Sequence, residues 1–260
     1  MGWLRRVLRR PPLLAVTGDV GEGPPVVLLH GIASSSVTFE YVAPLLADRH
    51  RTIAIDLLGF GKSPAPKDAR YTVEEHVEAL ARTLKQLRLR GPFVLVGHSM
   101  GAIIATRYAA TNPRRISRLV LVAPPIYLSP QEIGTPRDRA GMDLYLRVYE
   151  FLRGNKEFTI RAAAGLARLS PIKNLLDVSE KNWRAFVLSL ENAIESQTTI
   201  SDLVAVRAPV HLVWGSLDPF LHPAGIRIAE NIRHVTAHKV TGGDHVIRPR
   251  MARVVATAIG

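Results

Sequence analysis

The stretch from residue 93 to residue 105 most constrains the fold of this 260-residue chain. An apolar, β-branched run ends at Gly97, and a small-residue helical pattern begins after Gly101. This pattern predicts a strand, a sharp turn and a helix. The turn fits G-x-S-x-G, in which the serine, here Ser99, sits on a strained backbone with its hydroxyl lifted clear of the sheet. We expect a Cβ at either glycine to collide where strand and helix backbones meet.

The helix after Ser99 also points its first N–H groups and its positive dipole end towards the serine hydroxyl. Such donors stabilise a developing oxyanion. The pentapeptide alone is a weak signal, because glycine and serine are common residues. The strand before it and the helix after it make a nucleophilic serine the favoured interpretation over a purely structural turn.

The composition sets limits on the class of protein. Hydrophobic residues make up 47% of the chain and charged residues 22%, which is ordinary for one large α/β domain or a core with an inserted subdomain. The absence of cysteine excludes disulfides, a thiol nucleophile and thiolate metal ligands. The net charge of +12 would attract anionic surfaces, but the arginines are scattered and no nucleic-acid-binding motif accompanies them. We therefore expect no nucleic-acid partner.

The segment of residues 1–12 has the pattern of a short basic amphipathic helix that ends at two prolines. The favoured interpretation is a terminal helix that packs on the domain or frays. The alternative is a weak membrane-surface contact through residues 1–10. The chain shows neither a secretory signal pattern nor a run long enough to span a bilayer. The predicted location is cytoplasmic, with peripheral membrane association as the alternative.

Strand and helix patterns alternate along most of the chain, which predicts a mostly parallel central sheet with helices on both faces. Between Pro125 and Pro209 the patterns are only helical and aromatic, over more chain than one crossover helix needs. We therefore predict an inserted helical cap. The predicted organisation is an N-terminal segment 1–12, a first core part 13–127, a cap 128–200 and a second core part 201–260.

Candidate partners for Ser99 follow two later strands. In a parallel sheet the loops at the carboxyl ends of the strands converge, and Asp218 and His245 both lie on such loops. A serine hydroxyl is a poor nucleophile at neutral pH and needs a base, which needs a third group to hold it. We predict that His245 is the base and that Asp218 orients it. No histidine and carboxylate cluster has metal-ligand spacing, so no metal or other cofactor is predicted.

Five short motifs together resemble the α/β-hydrolase superfamily from Val26 to the C-terminus. In addition to the turn around Ser99, these are His30-Gly31, Asp56-x-x-Gly59-x-Gly61-x-Ser63, Trp214-Gly215-x-x-Asp218-Pro219 and Gly243-x-His245. Within the superfamily, the chain resembles the serine esterase and lipase branch with a helical cap. It implies an oxyanion hole formed by the backbone N–H groups of Ile32 and Met100.

The competing residues are weaker candidates. Asp56 could replace the acid, but the resemblance makes it part of a structural turn. Asp244 is expected to be solvated, and His30 and His98 to shape loops without proton transfer. Among the other histidines, His211 is expected in the core and four are expected at the surface: His50, His76, His234 and His238.

The predicted function is hydrolysis of a small-molecule carboxylic ester with a hydrophobic acyl or alcohol group, through an acyl-enzyme on Ser99. Dehalogenases and epoxide hydrolases of this superfamily carry aspartate at the position of Ser99. Three alternatives stay open: a carbon–carbon bond hydrolase of ring-cleavage products, a cofactor-free perhydrolase and a non-enzymatic small-molecule receptor. The carbon–carbon bond hydrolases often have tryptophan at the position where this chain has Val246. Neither substrate-binding residues nor an oligomeric state is assigned.

Overall fold

The computed structural model describes residues 10–128, 136–170, 172–173 and 175–260. The predicted amphipathic helix and its membrane contact fall almost entirely on residues 1–9, outside the described residues. The start of the predicted cap, residues 129–135, also lies outside them.

The centre of the molecule is a seven-stranded sheet with the strand order β1-β3-β2-β4-β5-β6-β7. β1 pairs antiparallel with β3, and all other neighbouring strands are parallel, as the alternating pattern predicts. The strands are β1 Val16–Val20, β2 Pro25–Leu29, β3 Arg51–Ile55, β4 Phe93–His98, β5 Ile116–Val122, β6 Val210–Gly215 and β7 Val235–Val240.

Helices follow most strands. They are α1 Ala43–Leu46, α2 Val73–Leu87, α3 Met100–Thr111, α4 Pro136–Gly154, α5 Lys156–Leu169, α6 Trp183–Ser189, α7 Thr199–Ala205, α8 Pro223–Glu230 and α9 Pro249–Ile259. The helical sequence pattern from Val37 to Leu46 predicts one continuous helix, but the structure differs. This stretch forms a 3₁₀ turn at Ser36–Phe39 and then only the single turn of α1, which begins beside Pro44.

Residues of the central strands alternate between two hydrophobic layers. In β2, Val27 and Leu29 pack in one layer with side chains of α2 and α3, such as Leu80 and Ile104. Val26 and Leu28 face the other layer, where Val255 of α9 is buried. Both faces of the sheet are therefore covered, which explains why its strands read as continuous apolar runs.

The strand order reverses direction beside β2. The chain passes from β2 to β3 on one side and then returns to form β4 on the other side. Such a reversal leaves a crevice at the carboxyl ends of the two central strands, where open α/β sheets bind ligands. The loop after β2 and the turn after β4 therefore meet at one edge of the sheet.

The segment between β5 and β6 contains only helical and irregular structure in its described part. We call α4, α5, α6, the π-helical turn Leu190–Glu195 and α7 the inserted helices. They are anchored on the core by apolar side chains that are almost completely buried, among them Met142, Phe186 and Ile194. The boundaries of the predicted cap stay a prediction.

Two histidines expected at the surface are buried. His76 is fully buried on α2, and His50 is nearly so. The prediction for both is wrong. For His76 the reason is visible in the helical spacing, because it lies three residues after Val73 and four before Leu80, on the apolar face. Neither ring nitrogen of His76 has a hydrogen-bond partner among the described residues, and burial lowers its pKa to about 3.

A histidine that is neutral in the folded state but titrates normally when unfolded makes stability depend on pH. Below pH 6.5 the unfolded chain takes up a proton at His76 that the folded chain binds only near pH 3. The free energy of unfolding therefore keeps the full contribution of neutral His76 above pH 6.5, and this contribution falls as the pH drops towards 3. We predict that His76→Leu reduces the loss of unfolding free energy between pH 6.5 and pH 4.5 by about 2–3 kcal/mol. Urea unfolding across this range would measure it, and an unchanged pH slope would contradict it.

Candidate active site

The turn around Ser99 has the strained geometry that its sequence predicts. Ser99 has a φ of 53° and a ψ of −123°, which a non-glycine residue rarely adopts. A Cβ on Gly97 would lie 2.6 Å from the Cα of Ala102 in α3. A Cβ on Gly101 would overlap the carbonyl oxygens of Leu29 and His30 at the end of β2. Gly97 therefore lets α3 pack closely against β4, and Gly101 lets α3 approach the end of β2.

Asp218 and His245 are in direct contact. The Nδ1–H of His245 donates to Oδ2 of Asp218 at 2.8 Å, and the aspartate side chain is completely buried. The other carboxylate oxygen accepts the backbone N–H of Phe220 at 2.9 Å. With Nδ1 donating, Nε2 of the neutral imidazole is left as the proton acceptor. The pair therefore has the arrangement of a base held by a carboxylate.

The loops that carry these two residues are joined through their backbones. Leu217 N–H donates to the carbonyl oxygen of Gly243 at 2.8 Å, and Gly242 N–H donates to Oγ of Ser216 at 2.8 Å. A Cβ on Gly215 would overlap the carbonyl of Gly243. The end of β6 and the loop after β7 therefore approach more closely than any larger residue allows.

The imidazole of His245 lies between two other rings. His98 is 4.9 Å away between ring centroids, and Phe220 is 4.8 Å away in an edge-on arrangement. The Nε2–H of His98 donates to the backbone carbonyl of His245 at 2.9 Å. Burial lowers the pKa of His98 to about 3, so it stays neutral as a fixed donor. His98 directly precedes Ser99, so this bond ties the His245 loop to the serine turn.

Ser99 is buried beside this pair but is not bonded to it. Among the described residues, the Ser99 hydroxyl makes no hydrogen bond with His245. The structure therefore brings Asp218 and His245 together, and the serine hydroxyl is not hydrogen-bonded to the base among the described residues. A separation of this kind is common before substrate binds.

The loop after β2 lies against Ser99. A Cβ on Gly31 would lie 2.9 Å from the Ser99 Cβ, so this position admits only a glycine without a shift of its neighbours. His30 is fully buried, accepts the Leu57 N–H at Nε2 and donates from Nδ1 to the Gly31 carbonyl. Burial lowers the pKa of His30 and keeps it neutral. Its contacts hold the loop in place, as the sequence predicts.

Neither predicted oxyanion donor has a hydrogen-bond partner in the described part of the chain. The backbone N–H groups of Ile32 and Met100 have no hydrogen-bond acceptor among the described residues. Met100 opens α3, where the first N–H groups of a helix are unpaired. Their role as an oxyanion hole stays a prediction.

Asp56 has a different environment. Its two carboxylate oxygens accept the backbone N–H groups of Ser36 and Lys62, at 2.8 and 2.9 Å. Its backbone carbonyl accepts the hydroxyl of Ser63. The carboxylate thus organises the turn after β3, whereas His245 is bonded to Asp218.

Sequence reasoning did not assign a role to Phe220 or to three tyrosines near the Asp218 loop. Tyr127 and Tyr145 donate hydrogen bonds to carbonyls of this loop, and Tyr149 contacts Tyr127. Tyr145 and Tyr149 are four residues apart on α4 and therefore share a face. The spacing was visible in the sequence, but the surface that this face contacts was not.

The chain belongs to a known family. A family model described as the alpha/beta hydrolase fold matches residues 24–247, which include every residue of the candidate site. The parallel sheet, the strained serine turn and the converging loops are all within that match. The fold and family predicted from the sequence motifs are confirmed.

Relatives with a named activity match only part of this chain. A probable lysophospholipase, BODYGUARD 1 of Arabidopsis thaliana, is 43% identical over 114 residues, which are 42% of this chain and 24% of that protein. The match thus spans about a quarter of the relative's length.

Solved structures match almost the whole chain. An esterase from Thermogutta terrifontis has 25% identity and a TM-score of 0.70, with 95% of this chain and 91% of that chain covered. A bromoperoxidase from Bacillus anthracis has 26% identity and a TM-score of 0.66, with 93% and 92% covered. Both likenesses extend over nearly the whole chain, in agreement with the family match.

No helix in the described part of the chain is long and apolar enough to cross a membrane.

Gly215→Ala tests the contact between the two loops. We predict that the added methyl group forces β6 and the Gly243 loop apart, lowers the unfolding free energy by about 1–3 kcal/mol and disrupts the bond between Asp218 and His245. Chemical denaturation and the low-field NMR resonance of the His245 Nδ1 proton would measure the two effects.

A matched control is Gly165→Ala on α5, where a Cβ meets no atom within 4 Å. This change should stabilise the protein by about 0.5–1 kcal/mol, because alanine favours a helix. Equal stability of both variants, with an unchanged proton resonance, would show that the two loops do not depend on this contact.

Proposed function

We propose that the protein is a serine hydrolase that cleaves carboxylic esters through an acyl-enzyme on Ser99. The observation that carries this proposal is the His245–Asp218 hydrogen bond of 2.8 Å beside a serine on a strained strand-to-helix turn. In this proposal Ser99 is the nucleophile, His245 the general base and Asp218 the group that fixes the imidazole.

The proposed reaction has two stages. His245 takes the hydroxyl proton at Nε2 while Oγ of Ser99 attacks the ester carbonyl, and it then gives that proton to the leaving alcohol. Water activated by the same nitrogen attacks the acyl-enzyme and releases the acid. Asp218 stabilises the imidazolium through Oδ2, while its other oxygen accepts the Phe220 N–H.

The backbone N–H groups of Ile32 and Met100 are the proposed oxyanion hole. They lie on the two segments that meet beside Ser99, and both are unpaired among the described residues. Donors fixed before the reaction stabilise the negative charge that develops on the carbonyl oxygen. In other serine hydrolases the loss of one such donor costs about 2.7–4 kcal/mol of transition-state stabilisation.

The substrate class rests on the inserted helices and on the named relatives. α4 lies against the Asp218 loop, so we propose that the inserted helices cap the site and supply its walls. Their apolar and aromatic side chains favour a hydrophobic acyl or alcohol group. The names of the Arabidopsis relative and of the Thermogutta esterase both denote ester hydrolysis, which supports this class of bond.

A p-nitrophenyl ester series of increasing acyl length tests the proposal. We predict turnover by the wild-type protein and a loss of about a thousandfold or more in Ser99→Ala, because the serine acts as a unit with its base. The acyl length with the highest kcat/KM indicates the length of chain that the binding pocket accepts. Release of p-nitrophenolate would be followed by absorbance.

Ser201→Ala is the matched control, since Ser201 is exposed on α7 and its hydroxyl donates only to the Thr198 carbonyl. It should retain wild-type rates. If the wild-type protein and Ser99→Ala are equally inactive on every ester, ester hydrolysis is wrong, and carbon–carbon bond cleavage, perhydrolysis or ligand binding takes its place.

A further inference from the structure

α4 reaches the loop that carries Asp218. The hydroxyl of Tyr145 on α4 donates to the carbonyl oxygen of Pro219 at 2.6 Å and lies 3.3 Å from that of Leu221. A tyrosine hydroxyl has one hydrogen, so the shorter contact is the principal bond and the longer one shares it. Two backbone carbonyls just after the acid are thus held by one side chain of the inserted helices.

The carbonyl between these two is held by a second tyrosine. Tyr127, which follows β5, donates to the carbonyl oxygen of Phe220 at 3.1 Å, and its hydroxyl lies 2.5 Å from that of Tyr149 on α4. Because the single hydrogen of Tyr127 goes to Phe220, Tyr149 must be the donor to Tyr127. A directed chain therefore runs from α4 through Tyr127 to the Asp218 loop.

The three tyrosines form a packed group. The ring of Tyr127 stacks on that of Tyr145 at 5.5 Å and lies 6.0 Å from that of Tyr149. Burial raises the pKa of Tyr149 to about 12 and also raises the pKa of the other two hydroxyls. All three hydroxyls thus keep their proton at neutral pH and remain donors.

The segment that the tyrosines hold is the one that fixes the acid and the base. The backbone N–H of Phe220 donates to Asp218, and the Phe220 ring packs edge-on against His245. A movement of this segment would shift both contacts at once. The hydrogen bonds from the tyrosines to this segment therefore all fall on residues 219–221, directly beside the Asp218–His245 bond.

We propose that Tyr145 is a positioning residue that aligns Asp218 and His245 when α4 is seated on the core, with Tyr127 and Tyr149 as its support. This inference rests on the proposed function. Tyr145 does not touch the reacting atoms and acts through the backbone of the Asp218 loop.

Tyr145→Phe tests this inference, because it deletes the hydroxyl and keeps the ring. We expect kcat for the preferred p-nitrophenyl ester to fall about tenfold, as for the loss of one hydrogen bond, with KM changed less than about twofold. The rate at which a fluorophosphonate labels Ser99 should fall in parallel. The low-field NMR resonance of the His245 Nδ1 proton should broaden or exchange faster with water.

Tyr71→Phe is the matched control, since the Tyr71 hydroxyl donates to the Pro66 carbonyl, far in sequence from residues 218–222. It should behave as wild type in all three measurements. If Tyr145→Phe does not fold, Tyr149→Phe replaces it as the test variant. A smaller loss of kcat is then expected, because this change removes only the hydrogen bond that Tyr149 donates to Tyr127.

The outcomes separate this inference from the proposed function. A wild-type proton resonance in Tyr145→Phe, together with unchanged kcat and labelling where the wild type is active, overturns the positioning role. A rise of KM alone also overturns it, because Tyr145 would then contact the substrate. If the wild type neither hydrolyses esters nor reacts with the fluorophosphonate, the proposed function fails, and a changed resonance still supports the coupling between α4 and the acid loop.

Discussion

Close approach of backbone segments at the carboxyl edge of the sheet is the constraint on which the site depends. Gly97 lets α3 pack on β4, Gly101 lets that helix reach the end of β2, and Gly215 lets β6 meet the loop after β7. At each position a Cβ would overlap backbone atoms. The first two contacts place Ser99 beside the loop of Gly31, and the third brings Asp218 to His245. The geometry of the site thus follows from three glycines.

Around these contacts, buried polar groups hold the loops in single positions. Asp56 uses both carboxylate oxygens on backbone N–H groups, and His30 links the loop after β2 to Leu57. His98, the residue before Ser99, joins the serine turn to the His245 loop. Low dielectric surroundings make such bonds costly to lose, so each loop is firmly restrained. Burial lowers the pKa of His30 and that of His98, so both rings stay neutral near neutral pH.

Features of the structure that depend on residues close together in the sequence were predictable, whereas contacts between distant segments were not. The turn at Ser99 and the strands before Asp218 and His245 are local patterns, and they were predictable because a run of apolar residues and a few glycines determine them. The burial of His76 was also locally encoded and was missed. In contrast, the contact of Tyr145 with residue 219 joins segments 74 residues apart and depends on how α4 is seated on the core, which periodicity does not reveal.

We propose that His245 activates Ser99 and that Asp218 is required for this activation. The most direct measurement is fluorophosphonate labelling with identification of the modified peptide by mass spectrometry, on the wild-type protein and on Asp218→Asn. We predict a single label on Ser99, formed in Asp218→Asn more slowly by up to about four orders of magnitude, because the imidazole would be held in the wrong tautomer. Labelling at another residue, or equal rates in both proteins, would contradict it.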